Sequence, residues 1–276
     1  MSLMLKLLAI TLLSSTLAYA GFQNVKVEKF LTKMISTNPG IESINVKVTN
    51  SIVIKEKRDW SAYYVKVDAI LKKDKRKVSQ KMIWFSNGEV ITKDLFDLNK
   101  GIDLKDSVSL PFKDKYYTKA NLIYGNANAE HKVALFSDPL CPFCRNFVPS
   151  AIEYMKKQPN KFAIYYFHFP LSGLHPASVE LVKAATALEF KGVKDVVLKL
   201  YKVKVNAREK SQEKILIEFN KEMHSNITLA EMNSKKVQEH LKRDLKIADD
   251  LMVAGTPTMF LDSKLDKKKN KYKMVK

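Results

Sequence analysis

Ser137-Asp-Pro-Leu-Cys-Pro-Phe-Cys-Arg-Asn146 is the stretch that decides how this chain is read. It follows an apolar run, Val133-Ala-Leu-Phe136, with the form of a buried strand. It precedes Phe147-Val-Pro-Ser-Ala-Ile-Glu-Tyr-Met155, which is apolar at helical intervals. Cys141 and Cys144 are the only cysteines in the chain and stand where that helix begins. A strand that ends in Cys-x-x-Cys and then turns helical is the sequence form of a thiol–disulfide redox site.

The chemistry expected of the pair follows from its position. Free backbone N–H groups and the dipole at a helix N-terminus favour a negative group, so Cys141 is expected to ionise more readily than a free cysteine and to attack or leave. Cys144, one turn further in, is expected on the same side, less exposed, and able to resolve the mixed disulfide. Pro142 suits an early helix position, and the Pro142-Phe143 pair is expected to tune the stability of the thiolate. Closing so short a loop removes little chain entropy, so stapling explains the pair poorly. Zinc would need further ligands, and His131, His168, His175, His224 and His240 have no paired spacing. Covalent haem would need His where Arg145 stands. No metal or external cofactor is expected, only a redox-active Cys141–Cys144 disulfide.

Upstream, residues 1–20 have the form of a secretory signal peptide. Lys6 gives a positive start, Leu7 to Ala18 an apolar core, and Ala18-Tyr-Ala20 a small-x-small cleavage site. That core is shorter than the roughly 20 residues of a membrane span. The expectation is an exported, soluble, periplasmic protein in an oxidising compartment. The formal net charge of +19 comes mainly from scattered lysine, with arginine only at 58, 76, 145, 208 and 243. Without an arginine-rich strip interleaved with aromatics, solvated lysine faces are expected and nucleic acid is not.

Residues 21–96 read as a small α+β unit. A helix is predicted over Val27–Ile35 with Val27, Phe30, Leu31 and Met34 on one face. Strand-like runs follow at Ile44–Ile54, Tyr63–Leu71 and Lys81–Phe85, with a hairpin turn at Asn87-Gly88. The unit carries no cluster with catalytic spacing and is expected to be structural or dimerising. Residues 97–118 read as a linker. Residues 119–276 begin near Leu122-Ile-Tyr-Gly125, contain a second buried strand at Phe162–Pro170, and are almost wholly helical from about 176 to 251. Val253-Ala-Gly-Thr-Pro-Thr-Met-Phe-Leu-Asp262 then feeds a loop into a last β run. This order indicates an α/β sheet with covering helices.

Leu135-Phe-Ser-Asp-Pro-Leu-Cys-Pro-Phe-Cys144, with Gly255-Thr-Pro-Thr258 downstream, resembles the thioredoxin superfamily, and within it the periplasmic DsbC/DsbG disulfide isomerases. The resemblance implies a thioredoxin-like α/β catalytic domain with an inserted helical subdomain, preceded by a cystatin-like α+β dimerisation domain. It implies that Pro257 is a cis-proline beside the cysteines and that Thr256 is its neighbour, both shaping the site. About 110 residues separate Cys144 from Pro257, which leaves room for the insertion. In two respects the chain departs from the pattern. Only the lysine-rich Ser263–Lys276 follows the last strand, and the buried acid beneath the pair has no sure counterpart. Asp138 is the nearest candidate, although a strand-end or helix-capping role is the more ordinary one.

The function expected is a homodimeric thiol:disulfide oxidoreductase, an isomerase or reductase in which Cys141 attacks disulfides of exported clients and Cys144 resolves them. A DsbA-like oxidase that donates disulfides is the alternative, and a redox-independent periplasmic chaperone is the alternative of another class. The partners implied are cysteine-bearing exported clients and a membrane redox protein, either a DsbD-like reductant or a DsbB-like oxidant.

Overall fold

The computed structural model describes residues 23–275 apart from Glu56, so the signal-peptide segment lies outside the described residues. The chain divides into two compact units, one ending at Ser109 and the other beginning at Leu110.

In the first unit a helix over residues 23–36, α1, is followed by β1 (Ile41–Ile54), β2 (Lys57–Leu71), β3 (Lys77–Ser86) and β4 (Ile91–Thr92). The strands form one antiparallel sheet in the order β1-β2-β3-β4. Alternation places Val46, Val48, Tyr63, Val65, Val67 and Trp84 in one apolar cluster with Val27 and Leu31 of α1. Val27 and Leu31 are buried as their spacing predicts, but Phe30 and Met34 are exposed, so the helix buries a narrower stripe than expected. At the β3–β4 turn, Asn87 Oδ1 accepts the amides of Glu89 and Val90, and Gly88 takes φ +94°. A short hairpin, β5 (Phe96–Asp97) with β6 (Ile102–Asp103), follows.

The second unit holds β7 (Leu122–Tyr124), β8 (His131–Ser137), α2 (Pro142–Lys156) and β9 (Phe162–His168). The helices α3 (Pro176–Phe190), α4 (Val196–Leu200), α5 (Gln212–Met223), α6 (Leu229–Met232) and α7 (Lys235–Asp250) come next, then β10 (Thr258–Leu261) and β11 (Lys264–Leu265). Its five-stranded sheet runs β11-β10-β8-β9-β7. Only β8 and β9 are parallel, joined by α2; the other pairs are antiparallel. One sheet face, with Val133, Leu135, Ile164, Tyr166 and Met259, packs against Val148, Ile152 and Met155 of α2. The other stacks Phe136 on Phe167, with Phe112 and Phe260 against them. Within residues 97–118, read from the sequence as a linker, Leu110, Phe112 and Tyr116 are buried.

Helices α3 to α7 interrupt the β9-to-β10 connection and bury a separate core that includes Leu181, Leu188, Leu200, Phe219, Met232 and Leu241. Ser234 is the N-cap of α7, though its side chain makes no capping hydrogen bond. The lysine-rich tail adds β11 and a 3₁₀ turn, Lys271–Lys273, whose Tyr272 is buried edge-on to Phe147 and Tyr154.

Candidate active site

Strand β8 ends at Ser137, and Asp138 turns the chain into α2. The turn is fixed by the Asp138 carboxylate, which is fully buried. Its Oδ1 accepts the amides of Leu140 (2.7 Å) and Cys141 (3.1 Å) and the Ser178 hydroxyl (2.6 Å). Its Oδ2 takes the Leu171 amide (2.7 Å) and faces His175 Nδ1 at 3.1 Å. Asp138 therefore holds the strand-end turn, while the N-cap of α2 is Cys141, and both carboxylate oxygens are occupied.

Cys141 is the N-cap of α2, with Pro142 in its first turn. Both cysteines are free thiols. Cys141 is 5% exposed and Cys144 0%, so the order of accessibility is the one the helix spacing predicts. Phe143, between them, is 76% exposed. The Thr256–Pro257 bond is cis, and it brings the Thr256 carbonyl to 3.8 Å from Cys141 Sγ. Cys141, Cys144, Thr256 and Pro257 are thus brought together from two distant segments, with Pro142 and Phe143 on the turn between the sulfurs.

Burial pushes the Cys144 thiol up to about 11, while the hydroxyls of Ser137 and Thr256 and the Asp138 backbone act against the rise. The Thr256 hydroxyl is itself buried, without a partner of good hydrogen-bond geometry. Among the described residues, no group of three or more His, Cys, Asp or Glu side chains is placed to hold a metal ion. Free thiols at a helix start, beside a cis-proline, can exchange with a disulfide presented along the Thr256 backbone.

A family model described as thioredoxin matches residues 117–276. The chain belongs to the thioredoxin family. With the Cys141–Cys144 pair, this makes it a thiol:disulfide oxidoreductase whose redox group is its own cysteines. The chain is 26% identical over 162 residues to a Bacillus anthracis protein described as "Probable disulfide bond formation protein D", covering 54% of this chain and 72% of that one. Solved structures similar to it include the thiol-disulfide exchange protein α-DsbA2 of Wolbachia pipientis, at 22% identity, 56% of this chain, 82% of that chain and TM-score 0.45. Oxidised BdbD of Bacillus subtilis is similar at 15% identity, 60% and 92% coverage and TM-score 0.47.

Several residues of this thioredoxin unit escaped the sequence reading. Arg145, noted only as excluding haem, donates from Nε to Pro139 O and from a terminal nitrogen to Val203 O, both at 2.8 Å. Leu140, just before the pair, is buried in the core of the inserted helices. Tyr166, within the second buried strand, and Tyr201, neither of them singled out, meet Ser137 in a buried hydroxyl chain. His168, noted only as lacking a paired histidine, is 1% exposed and lies beneath Tyr166, ring centroids 5.1 Å apart. A Cys-x-x-Cys signal points to its own helix, and nothing in it announces contacts made from an insertion dozens of residues away.

Proposed function

We propose that the chain acts as a thiol:disulfide oxidase that donates the Cys141–Cys144 disulfide to substrate proteins. Cys141, at the helix cap beneath the Thr256 carbonyl, is the sulfur that a client thiolate attacks. Cys144, fully buried, is the one expelled and later re-engaged. The observation that carries this reading is the paired geometry at the start of α2, in a chain similar over 162 residues to a protein described by disulfide bond formation. The expected partners are cysteine-bearing exported proteins and a DsbB-like membrane oxidant. The signal-peptide form of residues 1–20 supports export to a periplasm. Among the described residues no helix is long and apolar enough to cross a membrane.

The isomerase or reductase of the DsbC/DsbG kind stands second, with a DsbD-like reductant. The Thr256-Pro257 pair and a preceding α+β unit favour it, and Phe30 and Met34 give α1 exposed apolar residues through which that unit could form a homodimer.

Equilibration of the purified protein in glutathione buffers separates the two readings. An oxidase should give a potential near −120 mV, roughly that of a strong disulfide donor, and a value near −270 mV would place the pair with reductants. Cys144→Ser should accumulate mixed disulfides through Cys141. A Cys141→Ser variant that still restores client folding in full would indicate a chaperone instead. A monomeric mass in sedimentation would remove the homodimer.

A further inference from the structure

In disulfide exchange through this pair, charge must pass through the Cys144 sulfur. When a client thiolate attacks Cys141 of the oxidised pair, a client–Cys141 bond forms, the Cys141–Cys144 bond breaks, and the electron pair leaves on Cys144. A second client thiolate then displaces Cys141, and the two protons released by the client thiols end on the two cysteines. In the reverse direction Cys144 attacks the mixed disulfide and must first lose its proton. Either way a thiolate has to exist at a position with no exposure.

The Asp138 carboxylate is not free to serve it: both oxygens are engaged, by three backbone amides, Ser178 and His175. Instead, Tyr166 and Tyr201 pack in the same buried cluster as Cys144, and the Ser137 hydroxyl acts on its thiol. Ser137 Oγ is 2.6 Å from Tyr201 Oη, and Tyr201 Oη is 2.8 Å from Tyr166 Oη, both ordinary O–H···O lengths. Ser137, Tyr166 and Tyr201 are all buried. A hydroxyl without an acceptor is costly there; the buried neighbours of the Tyr166 hydroxyl are Tyr201, Ser137 and Cys144 itself, so its proton points toward the sulfur end of the cluster. Tyr201 then donates to Ser137, and Ser137 is left to donate to sulfur. Burial raises the tyrosine hydroxyls above their usual range, which keeps them protonated donors.

We propose that Tyr166, Tyr201 and Ser137 form a one-way hydroxyl chain that stabilises the Cys144 thiolate in place of a buried acid. Tyr201 is thereby a positioning residue, acting through Ser137. It follows α4 within the helical insertion yet packs against the redox cluster, so the insertion completes the site as well as covering it. The polarised series strengthens the last bond, the one made to charge.

The inference rests on Cys141–Cys144 being the redox pair. Its test is the pH dependence of Cys144 attack on a Cys141–glutathione mixed disulfide, followed by glutathione release in full-length protein. Ser137→Ala should slow release at neutral pH about tenfold and move the inflection up by about one pH unit. Tyr201→Phe, which removes only an oxygen, should slow it roughly threefold to tenfold and move the inflection in the same direction as Ser137→Ala, read well below the variant's melting temperature. The double variant should be no slower than Ser137→Ala alone, because both act through one bond. Variants with the wild-type profile, or with multiplying effects, overturn the chain while leaving the redox pair intact. A wild-type protein that forms no mixed disulfide overturns both.

Discussion

Asp138 accepts the Ser178 hydroxyl at 2.6 Å, and this bond ties the loop that presents the cysteines to the first helix of the insertion. Leu140 in the insertion core and Arg145 on the Val203 carbonyl repeat the tie on either side of Cys141. The redox turn is therefore clamped between the sheet and the inserted helices. Asp138→Ala would leave three amides and a hydroxyl without their buried acceptor. We expect it to lower unfolding stability by about 3 kcal/mol or more. Chemical denaturation checks this, and a loss below about 1 kcal/mol would mean the carboxylate is not what holds the turn.

Gly125 ends β7 at φ +81°, where a Cβ would lie 1.9 Å from the Phe162 carbonyl oxygen of β9. That atom is backbone of a central strand and cannot move aside cheaply. Gly192 has a similar φ, +80°, but open space where its Cβ would be. Gly192→Ala should cost only about 1 kcal/mol of left-handed strain, and Gly125→Ala more than about 2 kcal/mol. Equal losses measured by denaturant melts would show that backbone conformation alone, and not the close approach, decides at Gly125.

The redox turn and both buried strands were legible because short-range rules govern them. Alternation gave Ile164, Tyr166 and Val133 their faces, and two cysteines one turn apart gave Cys144 its buried place. What local pattern could not give was long-range. Phe30 and Met34 fit the helical stripe but stay exposed among the described residues. His168 looks like any strand-end histidine until α7 brings the Asp244 carboxylate to its amide at 3.1 Å. Tyr201 was invisible as a site residue because its partner Ser137 is 64 positions away.

A buried titratable group lies beneath the sheet at this end of α7. His240 faces Asp244 at 3.5 Å and Arg243 at 2.9 Å, and His168 and Asn121 pack against the same aspartate. Burial, then the charges of His168 and Arg243, depress His240 to about 3, whereas burial raises Asp244 to about 6. Between about pH 6.5 and 3 the unfolded chain binds the His240 proton and the folded one does not, so stability falls as pH falls across that window. Asp244 acts oppositely between about 3.8 and 6, where the folded state holds the extra proton, but its shift is the smaller. Net stability should drop on acidification. His240→Gln should flatten the loss between pH 6 and 4, as read by denaturant melts at each pH. A slope unchanged in the variant would remove His240 as its source.

Phe143 presents its ring to solvent between two buried sulfurs, 76% exposed on the first turn of α2. Since the ring contributes little to the folded core, Phe143→Ser should alter stability by no more than about 0.5 kcal/mol. Its apolar surface is positioned to be covered by whatever reaches Cys141. Covering a phenylalanine side chain is worth roughly 1.5–3 kcal/mol, so exchange with an unfolded, cysteine-bearing protein should slow about tenfold or more in the variant. Exchange with glutathione, too small to cover the ring, should stay within about twofold. The ratio of the two rates is the measurement. A parallel fall in both would mean that Phe143 acts on the sulfurs themselves, as the inter-cysteine position suggests from sequence, and not on the client.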